Sequence, residues 1–264
     1  DHEAFLLSEE PGSPPDPMTR IAWEKAGIAK TGTPLVTQLY APDMMEAIGT
    51  VAERTGAPLF RRGADWTAEV REGRLRYRDA AGMLDLPLPN LPGGHQADNA
   101  ALAAAMLRHQ QSLTIADSAI ARGITAAHWP ARLQRLQPGP LANLLPDTRI
   151  WLDGGHNPNA GEALGDFFKT RGAPMPIVIG MLANKNPDAL LAHLRPTAIV
   201  ALPVPGHESH PASAFGGYPV PVTEAADIES ALRLFIADPP EELLIAGSLY
   251  LAGDVLRQNE QAPS

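Results

Sequence analysis

The chain has 264 residues, 44% hydrophobic and 19% charged, which suits a soluble globular protein of one or two domains with a sizeable core. Its net charge of -9 argues against a general nucleic-acid or anionic-membrane surface, so an anionic ligand would need local cations, backbone amides or a metal ion. With no cysteine there is no disulfide or thiolate chemistry, and with neither an apolar run of membrane-spanning length nor a signal-peptide pattern the expected location is cytoplasmic.

Residues 9–17 are too proline-rich for regular structure, but they end in a helix start, since Asp16 can N-cap and Pro17 suits the first helical position. The helix is expected to run to about Lys30 and to stop at Thr31-Gly32. Met18, Ile21, Lys25 and Ile28 recur at helical spacing, which puts Lys25 in an apolar stripe. A lysine there is either paired, deprotonated or chemically altered, or its stem carries the ammonium out to water; spacing leaves both open. Pro34 to Leu39 reads as a strand, Pro42 to Arg54 as a helix and Ala57 to Arg61 as a strand. Trp66 to Leu88 reads as antiparallel ribbon with a tight turn at Glu72-Gly73. Helices follow at Ala100 to His109, with Asn99 in the first turn, and at Ile115 to Arg122.

His128-Trp129-Pro130-Ala131-Arg132-Leu133-Gln134 has no periodicity, and Pro130 together with Pro138-Gly139-Pro140 marks a domain boundary. The division expected is a first domain over 1–128, a hinge over 129–138 and a second domain over 139–264. Arg132 in such a linker is either a solvated arginine or a planar fork able to reach a phosphate. Beyond residue 140 strands and helices alternate. Strands are expected at Ile150 to Leu152, Pro176 to Met181, Ala198 to Leu202 and Glu242 to Ala246, with a further one at Pro219 to Val222. Helices are expected at Ala160 to Thr170, Pro187 to His193, Ala225 to Ile236 and Ser248 to Gln258. This alternation predicts a small parallel α/β domain with Rossmann-like winding.

Within that domain Ile150-Trp151-Leu152-Asp153-Gly154-Gly155-His156-Asn157-Pro158 reads as strand, glycine turn and helix start. Open α/β sheets bind ligands at such carboxyl strand ends, and the helix N-terminus favours anions. Asp153 and His156 could face one ligand together; equally, Asp153 or Asn157 could cap the helix and His156 be a loop residue. Asn184-Lys185-Asn186 and Gly247-Ser248-Leu249-Tyr250 follow two other strands, so three strand ends carry polar residues.

Six motifs in order carry a resemblance: Asp1-His2; Glu24-Lys25-Ala26-Gly27-Ile28; His95-Gln96 with Asn99; Trp129 to Gln134; Leu152 to Pro158; and Gly247-Ser248-Leu249-Tyr250-Leu251-Ala252-Gly253. Together they resemble the folylpolyglutamate synthase/dihydrofolate synthase family of the Mur-ligase superfamily. The resemblance implies the C-terminal part of a P-loop-type ATPase domain followed by a Rossmann-like glutamate-ligase domain. It also implies an ATP-dependent amide ligase that joins L-glutamate to dihydropteroate or folates through an acyl phosphate. ATP and Mg2+ are the implied cofactors, K+ or another monovalent cation being a further candidate, and the protein would be a monomer with small-molecule substrates and no nucleic-acid or membrane partner.

By the same resemblance His2 and Lys25 would serve the metal, Lys25 as a carbamate; Asn99, Arg132, Asp153 and Ser248 would bind the nucleotide; and Lys25 and His156 would be catalytic. The family's P-loop, of the form G-x-x-G-K-[ST], has no match here, so the chain is expected to be a C-terminal portion of a longer protein and inactive by itself. A nucleotide-binding module of the same fold without catalysis is the alternative. Asn184 and Asn186 stand where the family usually has acids, and Leu7 to Asp16 lengthens the spacing between His2 and Lys25.

Overall fold

The computed structural model describes residues 13–169, 171–172 and 175–262. His2 lies outside the described residues. The chain forms two compact units: one from the described residues within Asp1–Asn90 and Gly94–Ala127, the other from those within Leu91–Gly93 and His128–Ser264.

The first unit opens with α1 (Pro17–Ala26), whose start is as the sequence suggests: the Asp16 carboxylate accepts from Thr19 N and Oγ1, both at 2.8 Å. Its end is earlier than expected, because Gly27 N turns back to Glu24 O at 2.9 Å. The packed face also differs. Ala22 and Ala26 are buried with Ile48 and Val51 of α2 (Pro42–Thr55), whereas Met18, Lys25 and Ile28 are exposed. Small alanines let the two helices approach closely, and that contact outweighs the bulkier residues a third of a turn away. The stripe of Met18, Lys25 and Ile28 is therefore not the packed face, and of the two readings open for Lys25 the solvent-facing one agrees with its exposure.

Strands β1 (Leu35–Thr37) and β2 (Leu59–Arg61) pair in parallel around α2. Next comes an antiparallel sheet of β3 (Trp66–Arg71), β4 (Arg74–Asp79) and β5 (Gly82–Pro87). Glu72 and Gly73 link β3 to β4 with φ of 52° and 70°, the two positive angles that a two-residue hairpin turn requires. Leu75, Tyr77, Leu84 and Leu86 cover Ala101, Ala104 and Ala105 of α3 (His95–His109) and Ile120 and Ile124 of α4 (Asp117–Ala126). At the edge of that core Arg108 donates to both oxygens of the Asp79 carboxylate at 2.7 and 2.8 Å.

The second unit is a six-stranded sheet in the order β10-β9-β8-β11-β7-β6, built from β6 (Gln134–Arg135), β7 (Arg149–Leu152), β8 (Met175–Ile179), β9 (Pro196–Ala201), β10 (Val222–Glu224) and β11 (Glu242–Ala246). All pair in parallel except β6, which runs antiparallel to β7. Every residue of β8 and β11 is buried, as expected of central parallel strands covered on both faces. Val178, Val200, Leu243 and Ile245 face one core with Ala231 of α7 (Ile228–Arg233) and Val255 of α8 (Leu249–Gln258). Ile177, Ile179, Leu244 and Ala246 face the other, with Leu164 and Phe168 of α5 (Pro158–Lys169) and Leu190 of α6 (Pro187–Leu191). Helix α7 starts at Ile228 rather than near Ala225 because Asp227 caps it, accepting from Ser230 N at 2.7 Å. Strand β10 lies slightly beyond the expected Pro219 to Val222, where two prolines lack ladder donors. No helix among the described residues is long and apolar enough to cross a membrane.

Two stability predictions follow from named interactions. Asn259 is 1% exposed; its Oδ1 accepts from Leu141 N and Ala142 N at 3.0 Å, and its Nδ2 donates to Gln137 O at 3.0 Å. Asn259→Ala leaves those amides without their acceptor and should lower unfolding free energy by about 2 kcal/mol in chemical denaturation. Burial raises the Asp79 carboxyl, but hydrogen bonds from Arg108 and Tyr77 outweigh it and hold that carboxyl below its ordinary value. A group depressed in the folded state stabilises above its unfolded pKa and loses that contribution as pH falls through the folded one. Stability from this pair should thus fade below about pH 4, and Asp79→Asn should flatten that acid limb of a stability-versus-pH curve while lowering stability at pH 7.

Candidate functional site

Three neighbouring strands of the second unit, β7, β11 and β8, end side by side. Asp153 N donates to Ile245 O at 3.0 Å, Gly247 N to Gly155 O at 3.1 Å and Gly180 N to Ala246 O at 3.2 Å. The backbones meet too closely for side chains. A Cβ on Gly155 would lie 2.6 Å from Ala160 Cβ and 2.7 Å from Asp153 Oδ1, and one on Gly247 would lie 2.8 Å from Gly180 O. Gly247 also has a φ of 108°, which a residue with a Cβ rarely adopts.

Asp153 is 6% exposed. Its Oδ1 accepts from Gly155 N at 2.7 Å and its Oδ2 from Leu133 N at 2.8 Å. Gly154 N in turn donates to Ala131 O at 2.9 Å, and Ala131 N donates to Gln134 Oε1 at 2.8 Å. Ala131 and Leu133 hold φ of 56° and 44°, left-handed conformations that cost a residue with a Cβ roughly 1–2 kcal/mol each. Both are buried, while Arg132 between them is half-buried and its guanidinium has no hydrogen-bond or ion-pair partner among the described residues. The acid and the arginine singled out from sequence are thus brought together, and the link is backbone. Strand β6, inside the stretch read as linker, continues the same segment into the sheet through Gln134 paired with Leu152.

Asn157, not Asp153, caps α5: its Oδ1 accepts from Ala160 N at 2.9 Å. His156 is half-buried with Nδ1 3.1 Å from Gly154 O; a carbonyl only accepts, so Nδ1 carries a hydrogen, and in the neutral ring Nε2 is the acceptor. Ser248 is 3% exposed and caps α8, its Oγ accepting from Tyr250 N at 3.1 Å. The Tyr250 ring stacks on His207 with centroids 3.8 Å apart. After β8, Asn186 caps α6 and Lys185 O accepts from His210 Nε2 at 2.7 Å. Gln134 and His207 were not singled out from sequence: Gln134 acts on a neighbour's amide, and His207 meets Tyr250 only through the fold.

In the first unit Lys25 is exposed on α1, and Asn99 is exposed on α3 with Nδ2 donating to Gln96 Oε1 at 3.2 Å. The start of α3 is fastened to the ends of β1 and β2. Gln38 Nε2 donates to Asp98 O at 2.8 Å, and Arg62 donates to Asp98 Oδ1 at 2.6 Å and to Gln38 Oε1 at 2.9 Å. Among the described residues no three histidine or acidic side chains gather as a metal site.

The strand-end geometry yields a direct test. Gly247→Ala combines a disfavoured φ with a clash against backbone, so it should lower stability by about 2 kcal/mol or more, read as a fall in Tm of several degrees.

No protein-family model matches the sequence. The folylpolyglutamate synthase of Lacticaseibacillus casei is 32% identical over 254 residues, covering 90% of this chain and 56% of that protein. The dihydrofolate synthase/folylpolyglutamate synthase of Escherichia coli K12 is 36% identical over 178 residues, covering 66% of this chain and 39% of that protein. Among solved structures, a bifunctional folylpolyglutamate synthase/dihydrofolate synthase with Mn, AMPPNP and L-glutamate bound superposes with a TM-score of 0.74 at 29% identity, covering 95% of this chain and 58% of that one. E. coli FolC in complex with DHPP and ADP gives a TM-score of 0.74 at 28% identity with the same coverage. The chain spans about half the length of the relatives it matches. By this homology in sequence and fold, the chain belongs to the folylpolyglutamate synthase/dihydrofolate synthase family.

Proposed function

We propose that this chain is part of an ATP-dependent amide ligase that adds L-glutamate to dihydropteroate, to folates, or to both. The acceptor's carboxylate oxygen attacks the terminal phosphorus of ATP, the bond to the ADP oxygen breaks, and an acyl phosphate forms. The amine of glutamate then attacks the acyl carbon, phosphate leaves, and the amine proton passes to a base. The single observation that carries this reading is the Arg132 loop, whose guanidinium has no partner among the described residues and which is fastened to the carboxyl edge of a parallel sheet in a chain of net charge -9. An arginine fork at that edge suits a phosphate being transferred.

Asn99, Asp153 and Ser248 stand at the family's nucleotide positions. His156 has its Nε2 available as an acceptor, which suits it to take the amine proton. The family match at Glu24 to Ile28 is the support for a carbamate on Lys25, which is exposed on α1. A divalent ion, Mg2+ in this reading, would offset phosphate charge, with K+ or another monovalent cation a candidate second ion. The described residues do not by themselves make up its site. The two-unit division is read as the C-terminal portion of the ATP-binding domain and the glutamate-ligase domain, acting as a cytoplasmic monomer.

The test is ADP release by the full-length protein, with dihydropteroate and a reduced folate supplied separately. Turnover with at least one substrate is expected, and Arg132→Ala should reduce it about 100-fold while the protein still folds. No glutamate-dependent ADP release with either substrate would overturn the ligase reading, and unchanged kinetics in the arginine variant would remove the clamp. Intact-mass measurement of gently handled protein should find Lys25 heavier by one carboxyl group; an unmodified lysine in active enzyme would rule out the carbamate.

A further inference from the structure

We infer that His109 is an acid-released latch, a ring that fastens the last turn of α3 to β2 while neutral and lets that turn come away when protonated. The inference is independent of the ligase reading. His109 is the final residue of α3 and is half-buried. Its ring stacks on Phe60, the middle residue of β2, with centroids 4.0 Å and planes 20° apart. Its Nε2 is buried and has no hydrogen-bond partner among the described residues. A neutral imidazole can leave that nitrogen as a bare acceptor. The imidazolium must put an N–H and part of its charge there, with no acceptor to receive them.

Little else holds the turn. Met106 and Leu107 are exposed, and the buried alanines of the helix stop at Ala105. The other tie is Arg108, which donates to both oxygens of Asp79 at 2.7 and 2.8 Å. Beyond the helix Gln110 turns the chain, its Oε1 accepting from Ser112 N and Leu113 N at 2.8 Å, so the last turn can open without unravelling a longer element.

The charges around the ring do not rescue the protonated form. Burial opposes it most; Asp79 on β4 and Asp65 between β2 and β3 favour it, and Arg108 opposes it. Both aspartates are already engaged, Asp79 by Arg108 and Tyr77, Asp65 by Arg61 N at 2.7 Å. Asp117 on α4 faces Arg108 at 3.3 Å, and Tyr77 stays neutral because burial pushes its hydroxyl up. A helix C-terminus ordinarily favours a cation, but here burial outweighs it and the ring lies below the ordinary imidazole value. A base depressed in the closed state binds fewer protons there than in the open one. Closure is therefore firmest above about pH 6.5 and weakens as pH falls from there to the closed-state value, a window above that of Asp79.

The experiment follows the full-length protein by NMR and hydrogen exchange between about pH 7.5 and pH 5. The His109 ring, assigned through its own backbone resonances, should titrate below about 6.5. Protection of the last-turn amides of α3, corrected for intrinsic exchange, should fall several-fold across that range, while β8 and β11 in the other unit hold theirs. His109→Phe keeps a ring against Phe60 and loses the proton site, so its protection should be flat with pH. Asp79→Asn should move the step to lower pH, because it removes a carboxylate that favours the imidazolium. A ring titrating at or above its ordinary value, a step that persists in His109→Phe, or one that Asp79→Asn moves to higher pH would each overturn the latch. Should His109→Phe fail to fold, the unsubstituted protein still decides: ring titration and loss of protection must share one midpoint, and separate midpoints would equally overturn it.

Discussion

A buried carboxylate that accepts one amide from its own turn and another from a segment twenty residues upstream is the constraint on which the second unit's edge depends. Without it the strand-end turn and the Ala131–Leu133 segment would each face the cost of unsatisfied amides in a place water barely reaches. With it, β6 is docked on β7, the turn after β7 is shaped, and an arginine is left at the surface between two buried neighbours. One ionised group thus contributes to sheet, turn and site together. Replacing such a group therefore changes more than a contact.

The glycines around that carboxylate have a different task. They do not loosen the chain; they allow backbones to meet where side chains would collide, as at Gly155 against Ala160 and Gly247 against Gly180. The result is a crowded edge where three strands finish within hydrogen-bond reach of one another. Helix starts then follow, capped by Asn157, Asn186 and Ser248. Capping engages the side chains nearest the helix ends, while the Arg132 guanidinium has no partner among the described residues.

Much of this arrangement was legible in the residues. The alternation beyond residue 140 gave the parallel unit, Glu72-Gly73 gave the hairpin, and Asp153-Gly-Gly-His-Asn gave the turn, because each rests on local chemistry. What escaped the sequence rests on partners far away along the chain. Lys25 shares a helical stripe with Met18 and Ile28, yet the helix turns its alanines to α2, and nothing local marks that choice. Strand β6 is two residues long and exists only because β7 offers it an edge. The tie between Asp153 and Leu133 joins two motifs that read separately as loop and linker, since an acid followed by glycine signals a turn whether or not a distant amide awaits it.

The sheet order explains why the last-written strand matters as much as the first. β11 is inserted between β8 and β7, so Gly247-Ser248 reaches Gly155 only after the chain has travelled out through β9 and β10 and returned. Every contact across that edge is therefore long in sequence, and loop-closure entropy must be met before any of them forms. The strands that flank the insertion, β7 and β8, do not pair with one another; β11 is the neighbour of each. A chain lacking Glu242–Gln258 would leave β7 and β8 with open edges and the Asp153 turn without Ile245 O to receive its amide, so the C-terminal strand and helix belong to the site as much as the acid does.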